Sequence, residues 1–402
     1  MTSPKNWTDS RLGELCTLQG GSAFSRSLQG RGTGDIPFIK QSDMSLVANS
    51  QYIFESNNWV SEADLLELRA HPLPPHSVVF GKIGEGLKRN RYRVLTRPTL
   101  IDNNMMGAIP NSLVDQRFFA IVMSQIDMGS LAEGSALPYL RAEDVGNVRV
   151  LLPPLDEQHA IAGVLGALED KIESNRRLQE LCMSLATVEH VCWRETVTAF
   201  IETTFGDFCD VFGGATPSTE EPSYWGGGHA WLTPTDVTAL DAPYLFATSR
   251  TLTAEGLKVS STRLHPIGTV FMTSRATIGA FAVTQIPCST NQGFIAVQPR
   301  QDSHRWFIFH EMKSRVQLMF DLSSGSTFRE LSRGTFKSMA VSIPSLEADF
   351  DRLAAVLEPL HSKASNASRE NLKLSALRAA LLPELLSGRL RVKDAESMME
   401  NV

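Results

Sequence analysis

The sequence has no apolar run of the roughly 18 residues that a membrane-spanning helix needs, and its start, from Met1 to Trp7, contains no apolar export segment. It has 5 cysteines, an odd number, and no two of them form a C-x-x-C pair. This pattern argues against a disulfide framework and against a zinc site. We therefore expect a soluble protein of the reducing cytoplasm that has no membrane partner.

Motifs of known catalytic chemistry are also missing. The chain has no G-x-x-x-x-G-K-[ST] loop for ATP, no Asn-Pro-Pro-aromatic motif of the amino-methyltransferases, and no carboxylate pair followed by E-x-K for metal-dependent cleavage. His310-Glu311 lacks the second histidine of a zinc-binding helix, so no metal site is predicted. These absences predict a chain that is not an enzyme and has no cofactor of its own.

An overall excess of positive charge, which many nucleic-acid-binding proteins show, is absent as well. With 38 Lys and Arg against 44 Asp and Glu, the formal net charge is −6. The charges are unevenly distributed, however. Residues 156 to 200 contain 4 basic and 8 acidic side chains, whereas residues 82 to 97 contain six basic side chains and one acidic one, Glu85. The net charge therefore does not exclude DNA as a partner.

The chain contains an internal repeat of about 190 residues. Adding 193 relates Leu12-Gly-Glu-Leu-Cys16 to Phe205-Gly-Asp-Phe-Cys209, and adding 191 relates Val79-Phe80 to Val270-Phe271. Two similar units therefore follow one another along the chain.

Each unit begins with a part rich in glycine and proline and ends in a helical segment. Short β-type runs are predicted at Ser77 to Phe80, Phe118 to Met123, Thr269 to Thr273 and Gly293 to Val297. We predict globular domains over residues 1–155 and 201–346, and helices over 156–200 and 347–402. The fold class is α/β (α+β) with a pseudo-two-fold internal repeat.

Both helical segments have apolar stripes. The second stripe runs from Phe350 to Leu385 with spacings of 3 and 4 residues, which is a heptad pattern. The first runs from Ile161 to Ile172 and, after a break near Asn175, from Leu178 to Cys192. One alternative is that each helix packs on its own unit. Two similar helices in one chain most simply pair with each other, so we predict a coiled coil of long antiparallel helices.

A series of short motifs marks the second unit and the two helical segments. The motifs are Phe212-Gly-Gly-Ala-Thr-Pro-Ser218, Tyr224-Trp-Gly-Gly-Gly228, Trp231-Leu-Thr-Pro-Thr-Asp236, Asn291-Gln-Gly293, Gly325-Ser-Thr-Phe-Arg-Glu-Leu331, Leu152-Pro-Pro-Leu-Asp-Glu-Gln158 and Leu381-Leu-Pro-Glu-Leu-Leu-Ser-Gly388. Together they resemble the target recognition domain and the spacer helices of a type I restriction-modification specificity subunit. The order and the duplication make the combination specific, and the resemblance covers nearly the whole chain.

The resemblance implies a DNA-reading subunit with two target recognition domains and a helical spacer. Such a subunit reads an asymmetric, bipartite site in double-stranded DNA, with one domain for each half-site. Its helices hold two modification subunits, which use S-adenosylmethionine to methylate adenine, and further restriction subunits use ATP and Mg²⁺ for translocation and cleavage. Two alternatives stay open: the recognition subunit of a type IIB-like system, and a coiled-coil scaffold that does not bind DNA.

The chain departs from the family pattern at two places. Gly20-Gly-Ser-Ala-Phe-Ser25 replaces the Gly-Gly-Thr-Pro-Ser pattern in the first unit. Glu347-Ala-Asp349 in the second unit stands where the first unit has Asp156-Glu-Gln158.

Basic residues are predicted to contact DNA phosphates. If residues 89 to 93 form a strand, its three arginines lie on one face about 6.6 Å apart, near two base steps of one DNA strand. The alternative is a solvated edge strand. The predicted phosphate contacts are Lys82, Lys88, Arg89, Arg91, Arg93, Arg275, Arg329 and Lys337.

Polar residues near the ends of apolar runs and in the motif loops are predicted to face bases or a groove. They are Lys40, Gln41, Ser42, Ser135, Thr216, Ser218, Thr233, Thr235, Ser326 and Thr327. Some of these are equally compatible with ordinary turns, and Thr327 with Glu330 also fits a helix capping box.

The helices are predicted to dock the partner subunits. The predicted docking residues are Glu157, Gln158, Ile161, Leu165, Leu168, Ile172, Leu353, Leu357 and Leu360.

Overall fold

The computed structural model describes residues 6–46, 48–134, 137–325 and 329–399, except for the side chains of 396–399. These residues form two units. Unit 1 contains the described residues up to Glu173 and those from Leu374 onward, and unit 2 runs from Ser174 to Lys373. No helix within the described ranges is long and apolar enough to cross a membrane.

Unit 1 has small sheets and short helices. Its strands are β1 (Thr8–Arg11), β2 (Cys16–Gly20), β3 (Ile36–Ile39), β4 (Tyr52–Ile53), β5 (Trp59–Val60), β6 (Val78–Gly81), β7 (Tyr92–Leu95), β8 (Leu100–Ile101), β9 (Met105–Pro110) and β10 (Arg149–Leu152). Its short helices are α1 (Leu12–Leu15), α2 (Glu62–Leu68), α3 (Glu85–Lys88), α4 (Gln116–Ser124) and α5 (Ala142–Gly146). The strand orders are β2-β9-β6-β7-β4, β5-β3-β8 and β1-β10.

A long helix, α6 (Leu155–Thr196), then enters unit 2. The strands of unit 2 are β11 (Phe200–Thr204), β12 (Asp210–Phe212), β13 (Trp225–Leu232), β14 (Tyr244–Leu245), β15 (Arg250–Leu252), β16 (Val270–Thr273), β17 (Phe281–Thr284), β18 (Cys288–Thr290), β19 (Phe294–Gln298) and β20 (Ala340–Pro344). Its short helices are α7 (Phe205–Phe208), α8 (Pro234–Thr238), α9 (Ala254–Val259), α10 (Arg305–Ser314), α11 (Val316–Asp321) and α12 (Arg333–Ser338). The second long helix is α13 (Glu347–Leu386), and α14 (Val392–Met399) follows it.

The internal repeat of the sequence is also a repeat of the fold. The strand orders in unit 2 are β12-β19-β16-β17-β14, β15-β13-β18 and β11-β20, which match those of unit 1 strand for strand. The predicted mixed α/β fold with two repeated parts is confirmed.

The five-stranded sheets are buried on both faces, which explains their apolar strands. In β6, Val78 and Phe80 pack in the core that contains Ile161 of α6, whereas Val79 packs on the opposite face with Ile39. Successive side chains of a strand point to opposite faces, so a continuous apolar run is what a doubly covered strand requires. The five-stranded sheet of each unit is thereby fixed between a long helix and a second, smaller sheet.

The long helices run antiparallel within each unit. In unit 2, Asn175 donates to Asn371 Oδ1 (3.0 Å), and the indole nitrogen of Trp193 donates to the carbonyl of Asp349 (3.0 Å). Partner numbers fall along α13 as they rise along α6, which only an antiparallel pair allows. In unit 1, Glu169 accepts from the guanidinium of Arg378 at 2.8 Å.

The prediction of a β-type run at Phe118 to Met123 was wrong, because these residues lie in α4. Asp115 precedes the helix and its carboxylate accepts from the Phe118 N–H (2.8 Å), which satisfies one of the free donors of the first turn. A short apolar run that is buried on several sides does not distinguish a strand from a helix.

The predicted stripe of α6 was wrong beyond Asn175. The buried positions there are Gln179, Cys182, Ala186, His190 and Trp193. Their spacings of 3, 4, 4 and 3 residues continue the buried side of the helix, but partly with polar residues, so a stripe drawn through apolar residues alone misses them.

Four apolar residues of this part of α6 form an exposed face instead. Leu181 is 66% exposed, Leu185 42%, Val188 56% and Val191 55%. Spacings of 4, 3 and 3 residues place these four side chains on one side of the helix. We call them the α6 stripe.

The predicted docking residues are mostly buried within this chain, which contradicts their assignment to a partner. Gln158, Ile161, Leu165, Leu168, Ile172, Leu353 and Leu357 are buried, and Leu360 packs against the same core as Leu357. The Gln158 carboxamide accepts from the Asp115 N–H (2.8 Å) and donates to the Pro153 carbonyl (2.8 Å). Glu157 accepts from the Trp7 indole (2.9 Å). A heptad stripe marks the side of a helix that is covered, and here the same chain covers it.

Unit 2 contains a buried histidine cluster between the short helix α10 and the two long helices. His310 and His361 share a hydrogen bond between their Nε2 atoms (3.0 Å), and His361 Nδ1 bonds the Tyr244 hydroxyl (2.9 Å). His190 lies 3.2 Å from Glu311, which also pairs with Arg194 and Arg315. The pKa of His310 is lowered to about 3 and that of His361 to about 2, mainly by burial and to a lesser extent by a neighbouring histidine and Lys313.

We expect unit 2 to lose stability below pH 6.5. Because the folded pKa values lie below the unfolded value of 6.5, stability is complete above that pH and falls as the unfolded chain takes up protons. At pH 5 each histidine costs about 2 kcal/mol, from about 1.4 kcal/mol per pH unit. The free energy of unfolding is measured in urea at pH 8 and at pH 5. The difference between these two free energies should be smaller in His310→Ile than in the parent by about this amount. The exposed-site control His71→Gln should keep the full difference, and an undiminished difference in His310→Ile would contradict the assignment.

Candidate nucleic-acid interface

Four loops of unit 1 are held together by backbone hydrogen bonds. The Leu140 N–H donates to the Lys82 carbonyl (2.9 Å), and the Lys82 N–H donates to the Asn104 carbonyl (2.7 Å). The Asp102 N–H donates to the Ile39 carbonyl (3.0 Å), where β3 ends. We call residues 20–24, 40–46, 82–91 and 102–104 the unit 1 loop cluster.

The same arrangement recurs in unit 2. The Leu331 N–H donates to the Ser274 carbonyl (2.9 Å), and the Ser274 N–H donates to the Gly293 carbonyl (2.8 Å). The Asn291 N–H donates to the carbonyl of Leu232 (3.3 Å), the last residue of β13. The unit 2 loop cluster is residues 213–218, 233–236, 274–280 and 291–293. Equivalent backbone bonds therefore hold two sets of loops whose side chains differ.

An aspartate fixes an equivalent loop in each cluster; it is buried in unit 1 and partly buried in unit 2. Asp43 accepts from the Lys40 N–H (2.7 Å) and from Asn57, and Asp236 accepts from the Thr233 N–H (2.8 Å) and the Ser249 N–H (2.9 Å). Burial acts to raise the pKa of Asp236, but these hydrogen bonds outweigh it and hold the pKa below its usual value. Both carboxylates therefore act as structural anchors.

In unit 1, the three residues predicted to face bases have different roles in the structure. The Gln41 carboxamide donates to the carbonyls of Ile83 (3.1 Å) and Asn104 (2.8 Å), so it joins loops of the cluster. A Cβ at Gly86 would lie 2.0 Å from Gln41 Oε1, so glycine is needed there for this approach. Lys40 Nζ donates to Gln29 (2.6 Å), and Ser42 is exposed. Lys40 and Ser42 remain candidates for contact with bases.

In unit 2, Thr233 caps a helix and the other predicted residues are exposed. The Thr233 hydroxyl accepts from the Asp236 N–H at the start of α8, as in an ordinary capping box. Thr216, Ser218 and Thr235 are exposed, and the Thr216 hydroxyl donates to Gln292 Oε1 (2.5 Å). Thr216, Ser218 and Thr235 therefore remain candidates.

Three predicted residues, Ser135, Ser326 and Thr327, lie outside the described residues. Glu330, the described member of the possible capping box with Thr327, does not lie in the first turn of a helix. It forms a β-bridge with Arg275, and the next helix, α12, begins at Arg333.

Residues 89 to 93 do not form the predicted strand. Lys88 ends α3, Arg89 follows as its cap, and Asn90 has a φ of 46°, so the chain turns before β7 begins at Tyr92. The Asn90 carboxamide holds this turn by accepting from the Met128 N–H (3.0 Å). Asparagine tolerates the left-handed conformation better than most residues. The three arginines consequently do not share a strand face.

Arg93 is a structural residue and not a phosphate contact, which corrects its assignment. Its guanidinium donates to the carbonyls of Met44 (2.7 Å), Tyr92 (2.7 Å) and Asn49. Arg91 is exposed and donates to Ser45 Oγ (2.5 Å).

The remaining cations of unit 1 lie on the loop cluster itself. Lys82 is half-buried, and Lys88 and Arg89 are exposed. Lys88 lies 3.7 Å from Glu85, an exposed pair that water screens strongly. These three side chains are therefore available to an anionic backbone.

In unit 2 the predicted cations are dispersed. Arg275 lies within the unit 2 loop cluster and pairs with Glu330 at 2.8 Å. Arg329 lies beside the cluster, since its carbonyl accepts from the Ala276 N–H (3.1 Å), and its guanidinium lies over the Phe320 ring at 4.3 Å. Lys337 lies on α12, where its Cβ would be 3.0 Å from a Cβ at Gly206 on α7. Because α7 precedes β12 and the cluster begins after β12, Lys337 lies at the end of β12 that is away from the cluster.

Sequence reasoning missed two exposed amides. Asn104 in unit 1 and Gln292 in unit 2 occupy the same loop of the repeat, after β8 and β18 respectively. The signal was present, since Gln292 is part of the Asn291-Gln-Gly293 motif. Amide groups of this kind bond adenine in the major groove.

Trp225 of the Tyr224-Trp-Gly-Gly-Gly228 motif lies half-buried beside the cluster. Its ring meets Trp231 edge-on at 4.9 Å, and Arg250 lies 3.5 Å above its centroid. Its indole donates to the Ser218 carbonyl (3.0 Å), so it supports the motif loop.

The chemistry of both clusters suits the binding of a nucleic acid. Exposed hydroxyl, amide and cationic groups project from a rigid backbone framework, as base and phosphate contacts require. Among the residues that the structure describes, no group of three or more His, Cys, Asp or Glu side chains is arranged to hold a metal ion.

Comparison with known proteins gives a consistent result. The family model of the type I restriction modification DNA specificity domain matches residues 4–182 and 201–373. Over 167 residues, the chain is 35% identical to the type I restriction enzyme MjaIX specificity subunit of Methanocaldococcus jannaschii, which covers 41% of this chain and 38% of that protein. It is 26% identical over 187 residues to the HindI specificity subunit of Haemophilus influenzae, covering 46% of this chain and 40% of that protein. The matches thus span about two fifths of these relatives' length.

A solved structure has the same fold over almost the whole chain. The crystal structure of the type I restriction-modification S subunit from M. genitalium superposes with a TM-score of 0.63 at 15% identity. The superposition covers 96% of this chain and 98% of that one.

Proposed function

Because the chain belongs to the family of type I restriction modification DNA specificity domains, we propose that it is the subunit that selects the DNA sequence for a restriction-modification complex. Unit 1 reads one half-site of double-stranded DNA and unit 2 reads the other. The chain itself performs no catalytic step.

The observation that carries this proposal is a constant framework with variable side chains. The loops after β3 and β13 are anchored by equivalent aspartates, yet one presents Lys40 and Ser42 and the other Thr235. Base edges are distinguished by the donors and acceptors that reach them, so two different loops on one framework read two different sequences. An asymmetric bipartite site follows from this difference.

The partner subunits are two adenine methyltransferases, which bind S-adenosylmethionine, and further restriction subunits, which use ATP and Mg²⁺. We place a docking surface for a methyltransferase on the α6 stripe. Contiguous exposed apolar side chains commonly mark a protein interface. The predicted docking residues, by contrast, are occupied inside this chain.

The test is methylome sequencing of cells that express this chain together with its methyltransferase subunit. We expect a gapped, asymmetric motif with methyladenine in each half. In Lys40→Ala/Ser42→Ala, one half of the motif should become degenerate while the other half is retained.

Two results would contradict the proposal: a palindromic motif, or no motif although the complex copurifies. A change of both halves by the Lys40→Ala/Ser42→Ala variant would contradict the assignment of one unit to each half-site.

A further inference from the structure

The fold repeat allows residues of the two units to be matched by their positions in the elements. Tyr52 of β4 pairs with Val94 of β7, and Tyr244 of β14 pairs with Val283 of β17, so Tyr52 corresponds to Tyr244. The long helices begin at residues 155 and 347, so a shift of 192 relates their positions. A difference in packing at one matched place can therefore be assigned to particular residues.

In unit 2 this place is filled by an indole ring. The Trp306 ring stacks on His361 with centroids 3.5 Å apart and an interplanar angle of 3°. Its Nε1–H donates to Glu358 (2.6 Å), and the Phe309 ring meets it edge-on at 6.0 Å. The Tyr244 hydroxyl closes the group by bonding His361. Trp306 is buried, so no space remains there for a ligand of that size.

In unit 1 the matched residues have no aromatic rings, and the side chain of one of them, Arg117, lies with its guanidinium over Gly166 of α6. Trp306 is the second residue of α10 and Phe309 the fifth, and the second and fifth residues of α4 are Arg117 and Ala120. The shift of 192 places Gly166 where Glu358 stands. The indole and phenyl rings are therefore missing from this place in unit 1, and the shift of 192 puts Glu169 where His361 stands.

Their absence leaves an open cavity of about 370 Å³. Its apolar walls include Tyr52, Phe54, Val94, Ile121 and Ala120. A volume near the lower end of the range for ligand pockets suits a small, compact molecule.

The carboxylates and the guanidinium around the cavity already have partners. Asp115 accepts from the Phe118 N–H and lies 3.4 Å from His159. Glu169 pairs with Arg378 and also accepts from the Gln51 amide (2.6 Å). Arg117, at the edge, lies 3.3 Å from Asp170. A charged ligand would find no unpaired counter-charge in these pairs, whereas an uncharged ring gains contact with the apolar walls.

We propose that this cavity in unit 1 binds a small, neutral, planar aromatic molecule of about the size of indole. The ligand ring takes the place of the missing Trp306 and Phe309 rings, beside Tyr52 and Ala120 and next to the Arg117 guanidinium, which lies over Gly166. The site is separate from the loop clusters, so ligand binding does not depend on the proposed reading of DNA.

The test uses indole as the probe and the full-length chain, with binding followed by ligand-observed NMR. We expect saturable binding to the parent chain. Ala120→Phe fills the cavity with the ring found at Phe309 and should weaken binding at least tenfold. Arg117→Trp places an indole ring at the position matched to Trp306, where it should fill the cavity and weaken binding at least tenfold as well. The matched control Ala167→Phe adds the same ring on the exposed side of α6 and should bind indole like the parent.

If Ala120→Phe does not fold, the proposal is tested by indole binding to Arg117→Trp alone. Absence of saturable binding to the parent chain, or equal binding to the parent and to folded Arg117→Trp, overturns the proposal. The titration is repeated on the complex with the methyltransferase subunit, where indole affinity should be retained. A loss of tenfold or more in the complex would assign the cavity to an aromatic side chain of the partner and overturn the small-molecule assignment.

Discussion

Replacing Lys82, Lys88 and Arg89 together with alanine is expected to weaken binding of the assembled complex to every DNA sequence. Each cation that contacts a phosphate releases counterions, so the log-log dependence of affinity on salt should become shallower by about 2.7, or about 0.9 for each contact. Binding is measured by fluorescence anisotropy from 50 to 200 mM salt on cognate and non-cognate duplexes, a range over which phosphate contacts of this kind have a large effect. The ratio of cognate to non-cognate affinity should change little, because phosphate contacts carry no sequence information.

The matched control removes two exposed arginines from the same unit. Arg11 and Arg149 are opposite each other in the β1–β10 pair. The strand β2 begins near that pair and ends at Gly20, in the unit 1 loop cluster. Its five residues therefore separate Arg11 and Arg149 from the cluster. Arg11→Ala/Arg149→Ala should leave the salt dependence unchanged, and equal slopes for the parent and the triple variant would refute the phosphate role.

Arg93→Ala should behave differently from the triple variant. The Arg93 guanidinium bonds three backbone carbonyls, so its loss should destabilise unit 1 by about 1–3 kcal/mol for the carbonyls left unpaired. Its salt slope should match that of the parent once the folded fraction is taken into account.

Leu185→Glu/Val188→Glu is expected to prevent stable assembly with the methyltransferase subunit. Both side chains are exposed on the α6 stripe, so the folded chain tolerates the charges, but an interface that buries them pays a desolvation penalty of roughly 3 kcal/mol or more. That penalty corresponds to a weakening of about 100-fold or more. Size-exclusion chromatography with light scattering and calorimetric titration measure the loss.

Leu66→Glu provides the control for this change, because Leu66 is 82% exposed on α2 in unit 1. It should leave assembly intact, and thermal unfolding of both variants should remain close to that of the parent. Normal assembly of the double variant would remove the α6 stripe from the docking surface.

The sequence was sufficient for the organisation of the fold. Equivalent residues such as Asp43 and Asp236 recur at one shift because they perform the same backbone-anchoring task in both units. The heptad stripe of α13 predicted its buried side, since Phe350, Leu353 and Leu357 are all covered. Patterns of this kind are local, so they can be read along the chain.

Individual site residues were less predictable. Gln41 and Arg93 are polar residues in suitable loops, yet their donors are taken by backbone carbonyls from other loops. The stripe of α6 beyond Asn175 was misplaced because Gln179 and His190 are buried where an apolar residue was expected. Nothing local distinguishes a polar side chain that faces solvent from one that has a partner far away in the sequence.

The sequence by itself determined that this protein is a duplicated mixed α/β chain with two long helices and belongs among DNA specificity proteins, because periodicity, repeats and motifs are properties of neighbouring residues. Only the tertiary structure decided which polar groups are free, which helix face is exposed, and that unit 1 has an open cavity where unit 2 holds Trp306. These features depend on contacts between segments far apart in the chain, whose hydrogen-bond donors, acceptors and volumes are matched only when the chain is folded.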